Sequence, residues 1–192
     1  MRLLVPHEAV PSVFAIDYER LWEKGIQGLI FDLDNTLCPW RAPSLGKETT
    51  ELLKRLLKLE FRVCVLSNGN LGAREEILRQ FRQLGIPAIY PARKPFPSGF
   101  IQALRFLEMS SRQAAVIGDQ LLTDILGGNL LGFYTILVDP LNPEEHPWTR
   151  WVMRSLERIL GRKVIRRSCP AGVDRGCPAT HLPRDSRPNR KG

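Results

Sequence analysis

Short apolar runs alternate with amphipathic segments through the middle of the chain. The apolar runs have the length and continuous character of strands buried in a parallel sheet. They cover residues 29–33, 61–66, 88–90, 114–117 and 133–138. The intervening segments repeat their apolar positions every three or four residues, as helices do. These segments cover residues 49–58, 73–84, 98–108 and 121–131.

Regular alternation of strands and helices predicts an α/β fold, with a central parallel sheet and right-handed crossovers. Gly85 and Pro87 are a typical end for the helix at 73–84. The adjacent Gly127 and Gly128 are unfavourable for the predicted helix at 121–131, because they lie inside it and glycine weakens a helix.

Polar side chains stand where three of the predicted strands end. Asp32, Ser67 and Asp119 each fall at or just past such an end. In open α/β sheets the ligand site lies beyond the carboxyl ends of the strands. The three strands are therefore expected to deliver these side chains to one crevice.

Asp32 and Asp34 lie two positions apart where the chain begins to turn. Two carboxylates held there can divide two tasks of phosphoryl transfer between them. Asp32 is the predicted nucleophile, which would form an aspartyl-phosphate. Asp34 is the predicted acid/base, which would protonate the leaving alkoxide and then activate water. Thr36 is predicted to shape the turn, hydrogen-bond near Asp34 and border the substrate.

A transferred phosphoryl group carries negative charge, so the site needs positive charge and oriented donors. Mg²⁺ would supply part of that charge, since it prefers oxygen ligands. Asp32, Asp119 and the backbone carbonyl of Asp34 are its predicted ligands. Asp124 completes the predicted metal site by orienting a metal-bound water.

Three further residues are predicted to contact the phosphate. Lys94 would neutralise Asp32 and the phosphate together, and the Ser67 hydroxyl and the backbone N–H of Asn68 would donate hydrogen bonds. Each of these residues taken alone could be a helix cap or an ordinary surface residue. Their fixed order along the chain favours a common site.

Four segments resemble the motifs of the haloacid dehalogenase (HAD) superfamily of Mg²⁺-dependent aspartyl phosphatases. They are Phe-Asp-Leu-Asp-Asn-Thr-Leu at 31–37, Ser67, Lys94, and Gly-Asp-Gln-Leu-Leu-Thr-Asp at 118–124, within a match over about 27–138. The resemblance implies a HAD-like Rossmannoid three-layer sandwich. An aspartate at position 34 favours a phosphatase over the ion transporters and dehalogenases of the superfamily.

The intervals between the motifs are short. Thirty-four residues lie between Asp32 and Ser67, and 26 lie between Ser67 and Lys94. One helix and its neighbouring strand fill each interval, so no large cap domain can be inserted. This predicts a capless class III (IIIA) member, whose open site suits a large substrate.

More narrowly, the chain resembles the YqeG-like branch, which is similar to mitochondrial and plastid phosphatidylglycerophosphate phosphatases. The segments that carry this resemblance are Phe-Asp-Leu-Asp-Asn-Thr-Leu-Cys-Pro-Trp, Leu-Ser-Asn, Ala-Arg-Lys-Pro and Gly-Asp-Gln-Leu-Leu-Thr-Asp-Ile-Leu-Gly-Gly-Asn. The implied reaction is hydrolysis of phosphatidylglycerophosphate to phosphatidylglycerol. Two alternatives stay open: a phosphatase of a protein, nucleic-acid end or metabolite, and a non-catalytic nucleic-acid- or ribosome-associated protein.

The formal charge of +8 is concentrated at the C-terminal end. The segment 1–147 contains 16 basic and 17 acidic residues, whereas the segment 148–192 contains 12 basic and 3 acidic residues. We therefore predict a phosphatase domain at 1–147, an amphipathic basic helix at 148–165 and a disordered basic tail at 166–192.

The basic segment suggests an anionic partner, a membrane surface or nucleic acid, with the membrane favoured. No apolar run reaches the roughly 20 residues that cross a bilayer, and no secretory signal peptide is recognisable. The expected location is the cytoplasm. Two alternatives stay open for the helix at 148–165: its tryptophans pack onto the sheet, or they lie at the inner face of the membrane. Cys169, Cys177 and His181 match no common zinc pattern and receive no role.

Overall fold

A computed structural model describes residues 2–141. The strands are β1 (Glu8–Val10), β2 (Gly28–Asp32), β3 (Arg62–Leu66), β4 (Ala88–Ile89), β5 (Ala114–Gly118) and β6 (Tyr134–Val138). The α-helices are α1 (Tyr18–Glu23), α2 (Lys47–Lys58), α3 (Glu75–Leu84), α4 (Pro97–Leu107) and α5 (Leu126–Leu130). The predicted helix 148–165, the tail 166–192, and Cys169, Cys177 and His181 lie outside the described residues, so those predictions stay untested.

The six strands form one parallel sheet in the order β1-β6-β5-β2-β3-β4. β2 lies between β5 and β3, and all five of its residues are buried. Side chains alternate along it: Phe31 joins the core beneath α2 and α3, whereas Ile30 joins the core that contains Phe100 of α4. Two cores on opposite faces of a parallel sheet confirm the three-layer α/β fold.

The sequence patterns did not predict β1 or α1. β1 has three residues and pairs only with β6 at the edge of the sheet, so it is too short for a recognisable apolar pattern. α1 has six residues, and Asp17 caps it by accepting a hydrogen bond from the backbone N–H of Arg20 at 3.0 Å.

The segment 121–131 is not the single helix that its pattern predicts. A π-helical turn, Leu121–Ile125, comes first and α5 follows it. Close packing explains the adjacent glycines. A Cβ on Gly127 would lie 2.5 Å from the Phe100 ring, and one on Gly128 would lie 2.6 Å from Thr135 Cγ2. The two glycines therefore let α5 approach both α4 and β6.

Within residues 2–141, short connections follow the strands at the carboxyl edge of the sheet. Between β2 and β3 there is one helix, α2, and between β3 and β4 there are a 3₁₀ turn (Leu71–Ala73) and α3. Residues 2–141 thus contain no inserted cap domain, as predicted. None of the helices in this range combines the length and hydropathy that a membrane-crossing helix requires.

Candidate active site

The structure brings the predicted polar residues together at the carboxyl edge of the sheet. Asp32 ends β2, Ser67 follows β3 directly, Lys94 lies in the loop after β4, and Asp119 follows β5 directly. All four are buried, and so is Asp124 in the π-helical turn. We call the space bordered by these five side chains the crevice.

Lys94 is the central cation of the crevice. Its Nζ donates hydrogen bonds to Asp32 Oδ1, to Asp124 Oδ1 at 2.7 Å and to the carbonyl oxygen of Leu66 at 3.0 Å. Burial alone would lower the pKa of Lys94, but Asp124 and Asp32 outweigh burial and raise it. The side chain is therefore held as an ammonium ion between two carboxylates.

Three buried carboxylates surround this one ammonium group. Ligand oxygens of Asp32, Asp119 and Asp124 all lie within 4.8 Å of one another. Asp32 Oδ2 and Asp119 Oδ1 are buried and have no hydrogen-bond partner in the described part of the chain. Burial, reinforced by the other two carboxylates, raises the pKa of Asp119 to about 8. It also raises the pKa of Asp32, against the effect of Lys94.

Unpaired buried carboxylate oxygens are costly unless a cation or a proton compensates them. When all three carboxylates are ionised, they exceed the single ammonium in charge, and two of their oxygens have no partner within residues 2–141. A hard divalent cation with oxygen ligands fits this group of donors. The cluster can therefore hold a metal ion.

Asp124 has both oxygens engaged by the protein. Oδ1 accepts from Lys94, and Oδ2 accepts from the backbone N–H of Gln120 at 3.2 Å. The role predicted for Asp124, to orient a metal-bound water, stays a prediction.

Asp34 lies at the rim of the crevice, and its side chain is about one-fifth exposed (20%). Its Oδ1 accepts from Arg74 Nη1 at 2.8 Å and from the backbone N–H of Arg41 at 3.0 Å. No group within residues 2–141 donates to Oδ2. One carboxylate oxygen is thus fixed, and the other is available for proton transfer.

Arg74 was not identified from the sequence. Besides Asp34, it binds the carbonyl oxygen of Ala42 through Nε at 3.0 Å and Nη2 at 2.7 Å. It therefore ties the loop after β2 to the start of α3. Its position was a signal: it is the residue before the first turn of α3, where Ser, Thr, Asp and Asn are preferred and positive charge is unfavourable.

Ser67 and Asn68 organise the loops around the crevice. Ser67 Oγ accepts from the backbone N–H of Gly69 at 3.1 Å, which leaves the hydroxyl hydrogen free to donate. The Asn68 side chain accepts from the backbone N–H of Lys94 at 2.7 Å and donates to the carbonyl oxygen of Lys94 at 3.0 Å. Asn68 thus also positions the lysine loop, a role that the sequence did not predict.

Thr36 departs from its predicted role. Thr36 is only 2% exposed, and its Oγ1 has no hydrogen-bond partner in the part of the chain that the structure describes. Among residues 2–141 the buried hydroxyl therefore has no hydrogen-bond partner near Asp34, contrary to that part of the prediction. Contact with the substrate stays a prediction.

Gly118 is required by the close approach of Asp124. A Cβ at position 118 would lie 2.3 Å from Asp124 Oδ2, too near for any contact. We expect Gly118→Ala to displace Asp124, weaken its bond to Lys94 and lower the free energy of unfolding by about 1–3 kcal/mol. Urea unfolding measures this effect.

Gly46→Ala is the matched control. No atom of residues 2–141 lies within 4 Å of a Cβ built at Gly46, and its φ of −66° suits alanine. Its stability should change by less than about 1 kcal/mol, chiefly through the weaker helix cap. Equal effects of the two substitutions would contradict the packing argument.

Comparisons with known proteins identify the family. The family described as mitochondrial PGP phosphatase matches residues 1–142. "Probable phosphatase YqeG" of Bacillus subtilis is 39% identical over 160 residues, which are 83% of this chain and 91% of that protein. Phosphatidylglycerophosphate phosphatase 1, chloroplastic, of Chlamydomonas reinhardtii is 29% identical over 82% of this chain and 61% of its own length.

A solved structure supports the fold alone. A Vibrio cholerae protein assigned as a 3-deoxy-D-manno-octulosonate 8-phosphate phosphatase superposes with a TM-score of 0.50 at 18% identity, over 69% of this chain and 75% of that chain. The family assignment rests on sequence similarity, which extends over residues 1–142. The chain belongs to the mitochondrial PGP phosphatase family, and it is a phosphatase of the HAD type.

Proposed function

We propose that the protein is a Mg²⁺-dependent phosphomonoester hydrolase that removes the terminal phosphate of phosphatidylglycerophosphate through an aspartyl-phosphate on Asp32. The observation that carries this proposal is the buried Asp32 carboxylate. One of its oxygens is bound to Lys94, and the other has no partner within residues 2–141.

Asp32 is suited to attack phosphorus. Lys94 fixes the orientation of the carboxylate through Oδ1, so that one of its oxygens can attack phosphorus. The ammonium of Lys94 also reduces the repulsion between this carboxylate and an incoming phosphate. Ser67, at the end of the neighbouring strand β3, would donate its free hydroxyl hydrogen to a phosphate oxygen.

Asp34 is suited to proton transfer on the solvent side of the crevice. Arg74 and the backbone of Arg41 hold Oδ1, while Oδ2 stays free to give a proton to the leaving alkoxide and later to take one from water. Asp32 and Asp119, with the backbone carbonyl of Asp34, would hold Mg²⁺, and Asp124 would orient that group. When bound, Mg²⁺ supplies positive charge for the phosphoryl oxygens.

The choice of substrate rests on the family and on the open crevice. The chloroplastic relative is named as a phosphatidylglycerophosphate phosphatase, and no cap domain within residues 2–141 restricts access for a bulky lipid. The basic segment beyond residue 147 would bring the protein to an anionic membrane from the cytoplasmic side. Nucleic acid is the less favoured partner.

The test is phosphate release from phosphatidylglycerophosphate in mixed micelles and from a panel of soluble phosphomonoesters, with Mg²⁺ or with a chelator. We expect kcat/KM for the lipid to exceed every soluble value and activity to disappear with the chelator. Activity on soluble esters alone would contradict the lipid assignment. Undiminished activity in the chelator would contradict the metal requirement.

A further inference from the structure

Two exposed arginines beside the crevice have a backbone conformation that usually favours glycine. Arg41 has a φ of 55°, and Arg93 has a φ of 56°. An L-residue in this left-handed region costs about 1–2 kcal/mol, a cost that glycine avoids. Because glycine would be more stable at both positions, the side chains themselves are candidates for a function.

Each arginine adjoins a residue of the candidate active site. The backbone N–H of Arg41 binds Asp34 Oδ1 at 3.0 Å. Arg93 directly precedes Lys94, whose ammonium lies between Asp32 and Asp124. The two arginines therefore stand on two different loops, one after β2 and one after β4, at the same edge of the sheet.

Within the described part of the chain, the side chains of Arg41 and Arg93 are exposed. Within residues 2–141 neither forms a salt bridge or a hydrogen bond through its side chain, whereas Arg62, Arg74 and Arg79 all pair with carboxylates. The Arg41 guanidinium stacks on the Trp40 ring at 4.3 Å from the ring centroid. Stacking orients a guanidinium but leaves its N–H edges free to bind an anion.

We propose that Arg41 and Arg93 form a subsite for a second phosphate of the substrate, a phosphodiester that lies next to the phosphomonoester under attack. This inference rests on the proposed function and deepens it. Phosphatidylglycerophosphate carries both groups, one at each end of its central glycerol. Guanidinium groups bind phosphate oxygens through paired, charge-assisted hydrogen bonds. The subsite would thus select phosphomonoesters that also carry a diester.

The experiment compares two soluble substrates. Glycerophosphoglycerophosphate is the deacylated lipid and keeps both phosphates, whereas glycerol 3-phosphate keeps only the monoester. The double variant Arg41→Gly/Arg93→Gly removes both guanidinium groups and relieves the left-handed backbone, so folding should not suffer. The readout is the ratio of kcat/KM for the first substrate to that for the second.

We expect the double variant to lower this ratio by about 10- to 100-fold, since a hydrogen bond to a charged group contributes about 1.5–3 kcal/mol. The matched control is Arg82→Gln/Arg105→Gln. This control also removes two positive charges, but from exposed positions in the last turns of α3 and α4. The control should leave the ratio within about twofold of the wild type, because screened surface charges act weakly.

An unchanged ratio in the Arg41→Gly/Arg93→Gly variant would overturn the subsite. The subsite would also be overturned if the variant lost activity only on substrate in anionic vesicles. That result would show that the arginines bind neighbouring headgroups. Failure of the proposed function has a different result: wild-type protein would hydrolyse neither the lipid nor its deacylated form. That result would remove the subsite as well.

Discussion

Asp32→Asn is expected to abolish turnover, with a fall in kcat of about 10⁴-fold or more, the scale seen when an enzyme loses its nucleophile. Asparagine has nearly the same shape as aspartate, and its side-chain oxygen can still accept from Lys94. It cannot, however, attack phosphorus as a carboxylate does. The measurement is phosphate release under saturating substrate.

The folded structure should survive this change. Asp32, Asp119 and Asp124 place three carboxylates around one ammonium, so removing one negative charge relieves repulsion. Circular dichroism and the unfolding midpoint should match the wild type closely. Glu51→Gln is the control, because it neutralises an exposed carboxylate on α2. Turnover by the Asp32→Asn variant at more than about one-tenth of the wild-type rate would rule out Asp32 as the nucleophile.

Lys94→Met should cause the largest loss of stability. The side chain of Lys94 is 3% exposed and pairs with two buried carboxylates. Methionine has a similar length but leaves Asp32 and Asp124 without their cation. Breaking a buried ion pair by removing one partner costs about 3–5 kcal/mol. Urea unfolding in the presence of a chelator measures this cost without compensation by metal.

Lys54→Met is the comparison for Lys94→Met. Lys54 pairs with Glu51 at 2.9 Å, but both side chains are about half exposed (49% and 61%). An exposed pair contributes about 0–1 kcal/mol, so this variant should be close to the wild type in stability. If Lys94→Met were no less stable than Lys54→Met, Lys94 would not be the cation that balances the crevice.

The crevice residues were accessible to sequence analysis because a simple rule connects strand ends to a site. Asp32, Ser67 and Asp119 each end an apolar run, and parallel strands bring such ends to one edge. Lys94 does not end a strand, because it lies four residues beyond the start of the loop after β4. It was predicted from the order of the motifs along the chain. The structure places its ammonium against Asp32.

Long-range side-chain contacts were not accessible in this way. The position of Arg74 before a helix is unusual for a basic residue, but no local pattern shows that its partner is Asp34, 40 positions away. The bonds between Asn68 and the backbone of Lys94 likewise depend on how two loops meet. Gly127 and Gly128 were noted in the sequence as unfavourable for a helix. Only the tertiary structure shows that close packing of α5 requires them.

The most direct test of the account is to locate the phosphate on the enzyme itself. Asp34→Asn should slow hydrolysis of the intermediate, because the variant lacks the base that activates water. Acid quenching during turnover, borohydride reduction and peptide mass spectrometry would then identify the modified residue. We predict homoserine at position 32, formed by reduction of the aspartyl-phosphate. A variant that releases phosphate from substrate with position 32 never modified, or with the modification at another residue, would contradict the mechanism.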